Sequence, residues 1–73
     1  MQVYEVKYMA KPPKGNYIES FYRSLVLAYT KDNAKLKFLK YHETNIKEGW
    51  HLQIVKVSEF EKVDKVQARM IIL

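Results

Sequence analysis

The chain has 73 residues, no cysteine, and 13 basic against 8 acidic residues, which gives a formal net charge of +5 at pH 7. This length suits one domain spanning residues 1–73, and without cysteine the chain can form neither disulfides nor thiolate metal sites. No apolar run approaches the roughly 20 residues that cross a bilayer, and Glu5 and Lys7 interrupt the apolar start, which is atypical of a signal peptide. We therefore expect a cytoplasmic protein with no membrane partner. The sequence does not determine the oligomeric state, for which a monomer is the default.

The alternation of apolar and polar residues over residues 2–10 predicts a first β-strand, because side chains of a strand point to opposite faces in turn. One face carries Tyr4, Val6, Tyr8 and Ala10, and the other carries Val3, Glu5, Lys7 and Met9. The sequence KPPKGN that follows predicts a turn, since proline cannot donate to a strand ladder and Gly15–Asn16 tolerates turn dihedrals. Residues 17–30 are rich in aromatic and β-branched side chains and predict a second, antiparallel strand, clearest over residues 21–29.

A helix is predicted after the second strand, capped by Thr30 or Asp32 and running to about residue 43 or 44. Its apolar face is expected to carry Ala34, Phe38 and Tyr41. Leu36 falls off that face. The opposite flank is expected to carry Lys37 and Lys40.

The sequence WHLQIVKVSEF, which follows a turn at Gly49, predicts a third strand. Trp50, Leu52 and Ile54 alternate on one face, with Trp50 interpreted as a core residue, and then the apolar positions shift to Val55 and Val57. Such a shift indicates either a bulge or a strand covered on both faces. The four apolar residues at the C-terminus could form an edge strand. The predicted fold class is therefore α+β in β-β-α-β order: an antiparallel or mixed sheet of three to four strands with one helix packed on one face.

Catalytic and cofactor chemistry find little support in the sequence. His42 on a helix and His51 on a strand have no His-x-x-x-His spacing and no thiol to complete a metal site. Glu59 and Glu61 could resemble an acid and base pair but are interpreted as a solvated edge. No glycine-rich phosphate loop is present. We expect a non-enzymatic protein with no catalytic residues, no metal and no cofactor.

Positive charge is concentrated in residues 1–47, which hold nine bases against four acids, whereas the rest of the chain carries four of each. Such a field attracts an acidic partner, either nucleic acid or an acidic protein surface. The predicted strands and their turn bring together cations and nearby tyrosines, namely Lys7, Lys11, Lys14 and Arg23 with Tyr4, Tyr8, Tyr17 and Tyr22.

Two interpretations fit this basic and aromatic surface. Cations beside aromatic rings can neutralise phosphates while bases stack, as in small modules that bind single-stranded nucleic acid or resemble ribosomal proteins. An acidic protein partner explains the same residues, because complementary charge selects the partner while tyrosine and methionine supply contact area.

The N-terminal sequence MQVYEVKYMAK, together with the length, the basic balance and the lack of cysteine, resembles the small phage-encoded transcription regulators that bind host bacterial RNA polymerase. The resemblance implies binding to the N-terminal region of the polymerase β′ subunit, inhibition of σ-dependent initiation, and antitermination. It also implies partner-binding positions, with an apolar anchor at Tyr4 and basic contacts at Lys7, Lys11, Lys14 and Arg23.

Overall fold

The computed structural model describes residues 1–14, 20–62 and 67–73. In chain order the elements are β1 (Gln2–Lys11), β2 (Ser20–Ala28), α1 (Lys31–Tyr41), α2 (Glu43–Lys47), β3 (His51–Glu59), a 3₁₀ turn (Ala68–Met70) and β4 (Ile71–Ile72). The predicted α+β class and the β-β-α-β order are confirmed, and the short helix α2 is an addition. The predicted turn at Gly15–Asn16 and the predicted beginning of the second strand, with Tyr17, lie outside the described residues.

The four strands form one mixed sheet in the order β3-β1-β2-β4. The strand β1 lies in the middle and pairs antiparallel with both β2 and β3, as predicted for the first two strands. At the far edge, β4 pairs in parallel with β2, which confirms an edge strand at the C-terminus.

The core lies between one face of the sheet and α1. Along β1 the residues Tyr4, Val6, Tyr8 and Ala10, which the predicted alternation puts on one face, belong to this core, so that face is the helix side. The most deeply buried large side chains are Val6, Val26 and Phe38. Because a strand reverses its side chains at every residue, the odd-numbered residues of β1 lie on the opposite face.

The helix α1 begins at the predicted cap, where the Thr30 hydroxyl accepts a hydrogen bond from the Asn33 N–H at 3.0 Å. Ala34 and Phe38 are completely buried, as expected, and Leu36 is 67% exposed. The prediction that Tyr41 shares the buried face was wrong, because its side chain is 66% exposed.

The reason is the rotation of α1 about its axis. His42, at the C-terminal cap, takes the inward position, with its ring centroid 4.6 Å from that of Phe38 and 5.6 Å from that of Tyr8. The same rotation turns Lys37 toward β2, where its Nζ atom donates to the Leu27 carbonyl oxygen at 2.7 Å. The placement of Lys37 on the solvent flank was therefore wrong too.

The apolar shift along the third strand is a bulge. Lys7 of β1 pairs with Lys56, whereas the next residue, Tyr8, pairs with Ile54, so Val55 is the extra residue. Trp50, Leu52 and Ile54 are partly buried and pack against the core. The turn before β3 uses Gly49 at φ +100°, where a side chain would also approach the Pro13 Cβ atom to 2.9 Å.

Loss of the α1 cap is expected to destabilise the protein measurably. The substitution Thr30→Ala removes the acceptor for the Asn33 N–H and should lower the free energy of unfolding by about 1 kcal/mol. Thr30→Ser keeps the hydroxyl and serves as the matched control. Urea denaturation followed by circular dichroism measures both variants, and equal stability of Thr30→Ala and wild type would contradict the cap.

The burial of His42 is expected to make stability depend on pH. Burial lowers the pKa of His42 below its ordinary value of 6.5, because desolvation disfavours the imidazolium. The unfolded chain therefore binds a proton on His42 at a higher pH than the folded chain does. The contribution of His42 to the free energy of unfolding should be complete above pH 6.5 and should decrease as the pH falls below it.

Unfolding free energies of wild type and His42→Gln, measured between about pH 8 and pH 5, test this expectation. The difference between the two proteins isolates His42 from other titrating groups. A difference that stays constant over this range would show that His42 titrates equally in both states.

Candidate binding surface

Among the described residues no α-helix packs on the face of the sheet opposite α1, and we call it the open face. Residues that are directly paired across two strands point to the same face, so the pairing register identifies its members. The members from β1 are Val3, Glu5, Lys7, Met9 and Lys11, those from β2 are Leu27, Leu25, Arg23 and Phe21, and those from β3 are Ser58, Lys56, Gln53 and His51.

Three cations lie side by side across the middle of the open face. Lys7 pairs with Arg23 on one side and with Lys56 on the other. All three residues are exposed, and neighbouring strands are about 4.8 Å apart. We call Arg23, Lys7 and Lys56 the cation row. Like charges at directly opposite positions destabilise a sheet, so folding stability does not explain this arrangement.

Glu5 partly compensates the cation row. Its side chain is 12% exposed, and its carboxylate accepts a hydrogen bond from Arg23 Nη1 at 3.1 Å and lies 3.8 Å from Lys7 Nζ. Among the described residues, Lys56 forms no ion pair. Because one carboxylate faces three cations, this part of the open face remains positively charged. The contact with Glu5 also fixes the position of the Arg23 guanidinium.

Apolar side chains lie next to the cation row. Phe21 is 73% exposed and pairs with the half-buried Met9, and the bulged Val55 is 57% exposed. A shallow cavity of about 310 Å³ is lined by Lys7, Phe21, Tyr22, Arg23 and Val55. An exposed apolar patch bordered by charge is a common feature of interaction surfaces.

The other end of the open face is covered. Val3 and Leu25 point away from α1, yet they are only 6% and 7% exposed. Phe60 extends the β3 ladder by donating its backbone N–H to the Val3 carbonyl oxygen at 2.9 Å, and Ile71 pairs with Leu25. Both residues are half-buried, so the C-terminal part of the chain contributes to this cover. The accessible surface is thereby restricted to the cation row and the Phe21 end.

The structure brings together some of the predicted binding residues and separates others. Lys7 and Arg23 are direct neighbours in the cation row. Lys11 lies on the same face at the end of β1, paired with His51 and half-buried, and Lys14 is exposed beyond the strand. Tyr4 is 6% exposed on the helix side, and its hydroxyl donates to the Tyr29 carbonyl oxygen at 3.4 Å. Its ring is thus a core side chain, and it could contact a partner only if α1 separated from the sheet.

Lys56 and Phe21 are further candidate binding residues, which were not predicted from the sequence. Lys56 joins the row only because the bulge at Val55 sets it opposite Lys7. The apolar shift along the third strand was the signal for that bulge. The position of Phe21 follows from the register alone. In an antiparallel pair of strands in which Lys7 is opposite Arg23, Phe21 is opposite Met9 and lies on the same face.

The described residues contain no cluster of three or more histidine, cysteine, aspartate or glutamate side chains that could hold a metal ion. In the same part of the chain, no helix has the length and apolarity needed to span a membrane.

No family model matches the chain, and no curated protein or solved structure matches it.

Proposed function

We propose that this protein is a non-enzymatic binding module that docks the open face of its sheet on an acidic surface of a protein partner. The supporting observation is the cation row, which has one carboxylate for three cations and lies next to the exposed side chains of Phe21 and Val55. Charge of this kind accelerates and orients association, and the apolar side chains supply contact area that slows dissociation.

The partner we propose is bacterial RNA polymerase, in the N-terminal region of its β′ subunit. This proposal rests on the resemblance of the N-terminal sequence to small phage-encoded regulators and on the positive field of the open face. Binding one polymerase conformation more tightly than another would be enough to inhibit σ-dependent initiation or to favour antitermination, because a ligand shifts an equilibrium by its differential affinity. The site of action would be the cytoplasm of the bacterial host.

Single-stranded nucleic acid is the second candidate partner. Phe21 favours it, because an exposed ring beside cations can stack on a base while phosphates are neutralised. The open face is less well suited to a strand of several bases, since among the described residues only two exposed aromatic side chains border its cavity, Tyr22 from the helix side and Phe21. Its neighbours Met9 and Val55 are aliphatic, which favours a protein surface.

Neutralising the cation row is expected to weaken binding to purified polymerase. The double substitution Lys7→Gln with Lys56→Gln removes two exposed charges and should raise Kd roughly 5- to 30-fold, mainly through slower association. The matched control is Lys31→Gln with Lys40→Gln, which removes two exposed charges from α1. Surface plasmon resonance at low and high salt measures the rates, and the salt dependence should be reduced in the first variant alone.

Equal losses in both double variants would show that net charge matters and that the open face does not. Filter binding of single-stranded RNA by the same proteins separates the two candidate partners. The second candidate would replace the first if the wild-type protein bound RNA more tightly than polymerase and the double variant Lys7→Gln with Lys56→Gln lost this RNA binding.

Removal of the Phe21 ring is expected to accelerate dissociation of the complex. Phe21→Ala should leave stability nearly unchanged, because the side chain is 73% exposed, but should raise the dissociation rate at least about fivefold if the ring is a buried anchor in the complex. Tyr29→Ala is the control, since that ring is 72% exposed and belongs neither to the paired residues of the sheet nor to the lining of the cavity beside Phe21. Identical dissociation rates for Phe21→Ala and Tyr29→Ala would exclude the Phe21 end from the interface.

A further inference from the structure

An aromatic cleft opens at one end of the protein, on the side of the sheet that carries the helices. Its volume is about 220 Å³, and four separate segments of the chain contribute to it. The lining residues are Tyr8 and Ala10 from β1, Tyr22 from β2, His42 and Asn45 from the region of α1 and α2, and Trp50 and Leu52 at the beginning of β3.

Ring systems form most of the wall of this cleft. Tyr8 is 9% exposed, and its ring centroid lies 5.7 Å from that of Tyr22, with 30° between the two planes. The His42 ring is 5.6 Å from Tyr8 at 49°. Tyr22 is 51% exposed although it pairs with a buried residue, and Trp50 is half-buried. Ala10 is small, which leaves the space between the rings unfilled.

The polar groups of the cleft are neutral hydrogen-bonding groups. The Asn45 Nδ2 atom lies 3.4 Å from His42 Nδ1. The Nε2 atom of His42 is buried without a hydrogen-bond partner in the described part of the chain. Burial lowers the pKa of His42, so the neutral form of its ring predominates at neutral pH. Aspartate, glutamate, lysine and arginine are all missing from the described lining residues, so an ionic group entering the cleft would lose hydration without gaining a counter-charge.

The size of the cleft limits the ligand further. Pockets for drug-sized molecules usually measure about 300 to 1,000 Å³, so this cleft suits one planar ring system. The face of such a ring can stack on Tyr8, Tyr22 or Trp50. Its edge would have to present a donor or an acceptor to the exposed amide of Asn45, since a polar group that enters the cleft loses hydration and needs a new partner.

We propose that the cleft lined by Tyr8, Tyr22, His42, Asn45 and Trp50 binds a single neutral heteroaromatic ring with a hydrogen-bonding edge, of the nucleobase class. The ring can come from a free nucleoside or from an unpaired base of a nucleic acid, which share this chemistry. The site is separate from the cation row, and its test requires no polymerase, so the two proposals can fail independently.

Trp50 provides a direct readout because it is the only tryptophan in the chain. Adenosine and uridine are titrated into the purified protein while the Trp50 fluorescence and the indole N–H signal in a ¹⁵N NMR spectrum are followed. We expect saturable changes in both signals with at least one nucleoside and none with ribose.

A short single-stranded oligonucleotide identifies the source of the ring. If the oligonucleotide binds more tightly than the nucleoside, the ligand is an unpaired base of a nucleic acid, and if the two bind equally, it is the free nucleoside.

Two variants with one control locate the binding site. Tyr22→Ala removes an exposed stacking wall and should weaken binding at least about fivefold. Because Tyr22 also borders the cavity on the open face, Asn45→Leu is the second variant, which removes the amide at an exposed helical position and should weaken binding as well. Tyr29→Ala, outside the cleft, should bind like wild type.

Three results would overturn the proposal. The first is a fluorescence change that never saturates with either nucleoside. The second is saturable binding that is the same in wild type, Tyr22→Ala and Asn45→Leu. The third is tighter binding of tetramethylammonium than of the nucleosides, which would identify the cleft as an aromatic cage for cations.

Discussion

The register of β1 between β2 and β3 is the constraint on which the rest of the structure depends. Val6 pairs with Ser24 and Val57, and Tyr4 pairs with Val26, so the apolar side chains of three strands meet Phe38 on one face. A slip of one residue would exchange the two faces and bring Lys7 into the core. The packing under α1 therefore holds the cation row on the open face, and the candidate binding surface is a consequence of how the core is formed.

The open face lowers the stability of the fold, and the packing of the core has to offset this loss. Three cations occupy directly opposed positions, and Glu5 compensates them only in part. Phe21 and Val55 add exposed apolar surface beside them. In a small domain, whose core is limited, such a surface is best explained by a partner that covers it. The positive charge would bring that partner in and Phe21 would hold it, so the two features act at different stages of binding.

Much of the fold could be predicted because its signals are local. Period-two alternation identified β1, Thr30 was one of two caps predicted for α1, and the apolar shift near Val55 made a bulge one of two interpretations of the third strand. Other features depend on tertiary contacts. The rotation of α1 decided that His42 faces the sheet and that Tyr41 does not. Alternation also divides β1 into two faces without showing which one the helix covers, so the burial of Tyr4 and the pairing of Lys7 with Lys56 required the structure.

The most direct test of the open-face account is a lysine-reactivity footprint of the protein with and without purified bacterial RNA polymerase. An amine-reactive acetylating reagent followed by mass spectrometry reports on both sides of the molecule, because exposed lysines occur on the open face (Lys7, Lys56) and on α1 (Lys31, Lys35, Lys40). The account predicts that polymerase protects Lys7 and Lys56 while the α1 lysines keep their reactivity. Protection of the α1 lysines, with Lys7 and Lys56 still fully reactive in the complex, would contradict it.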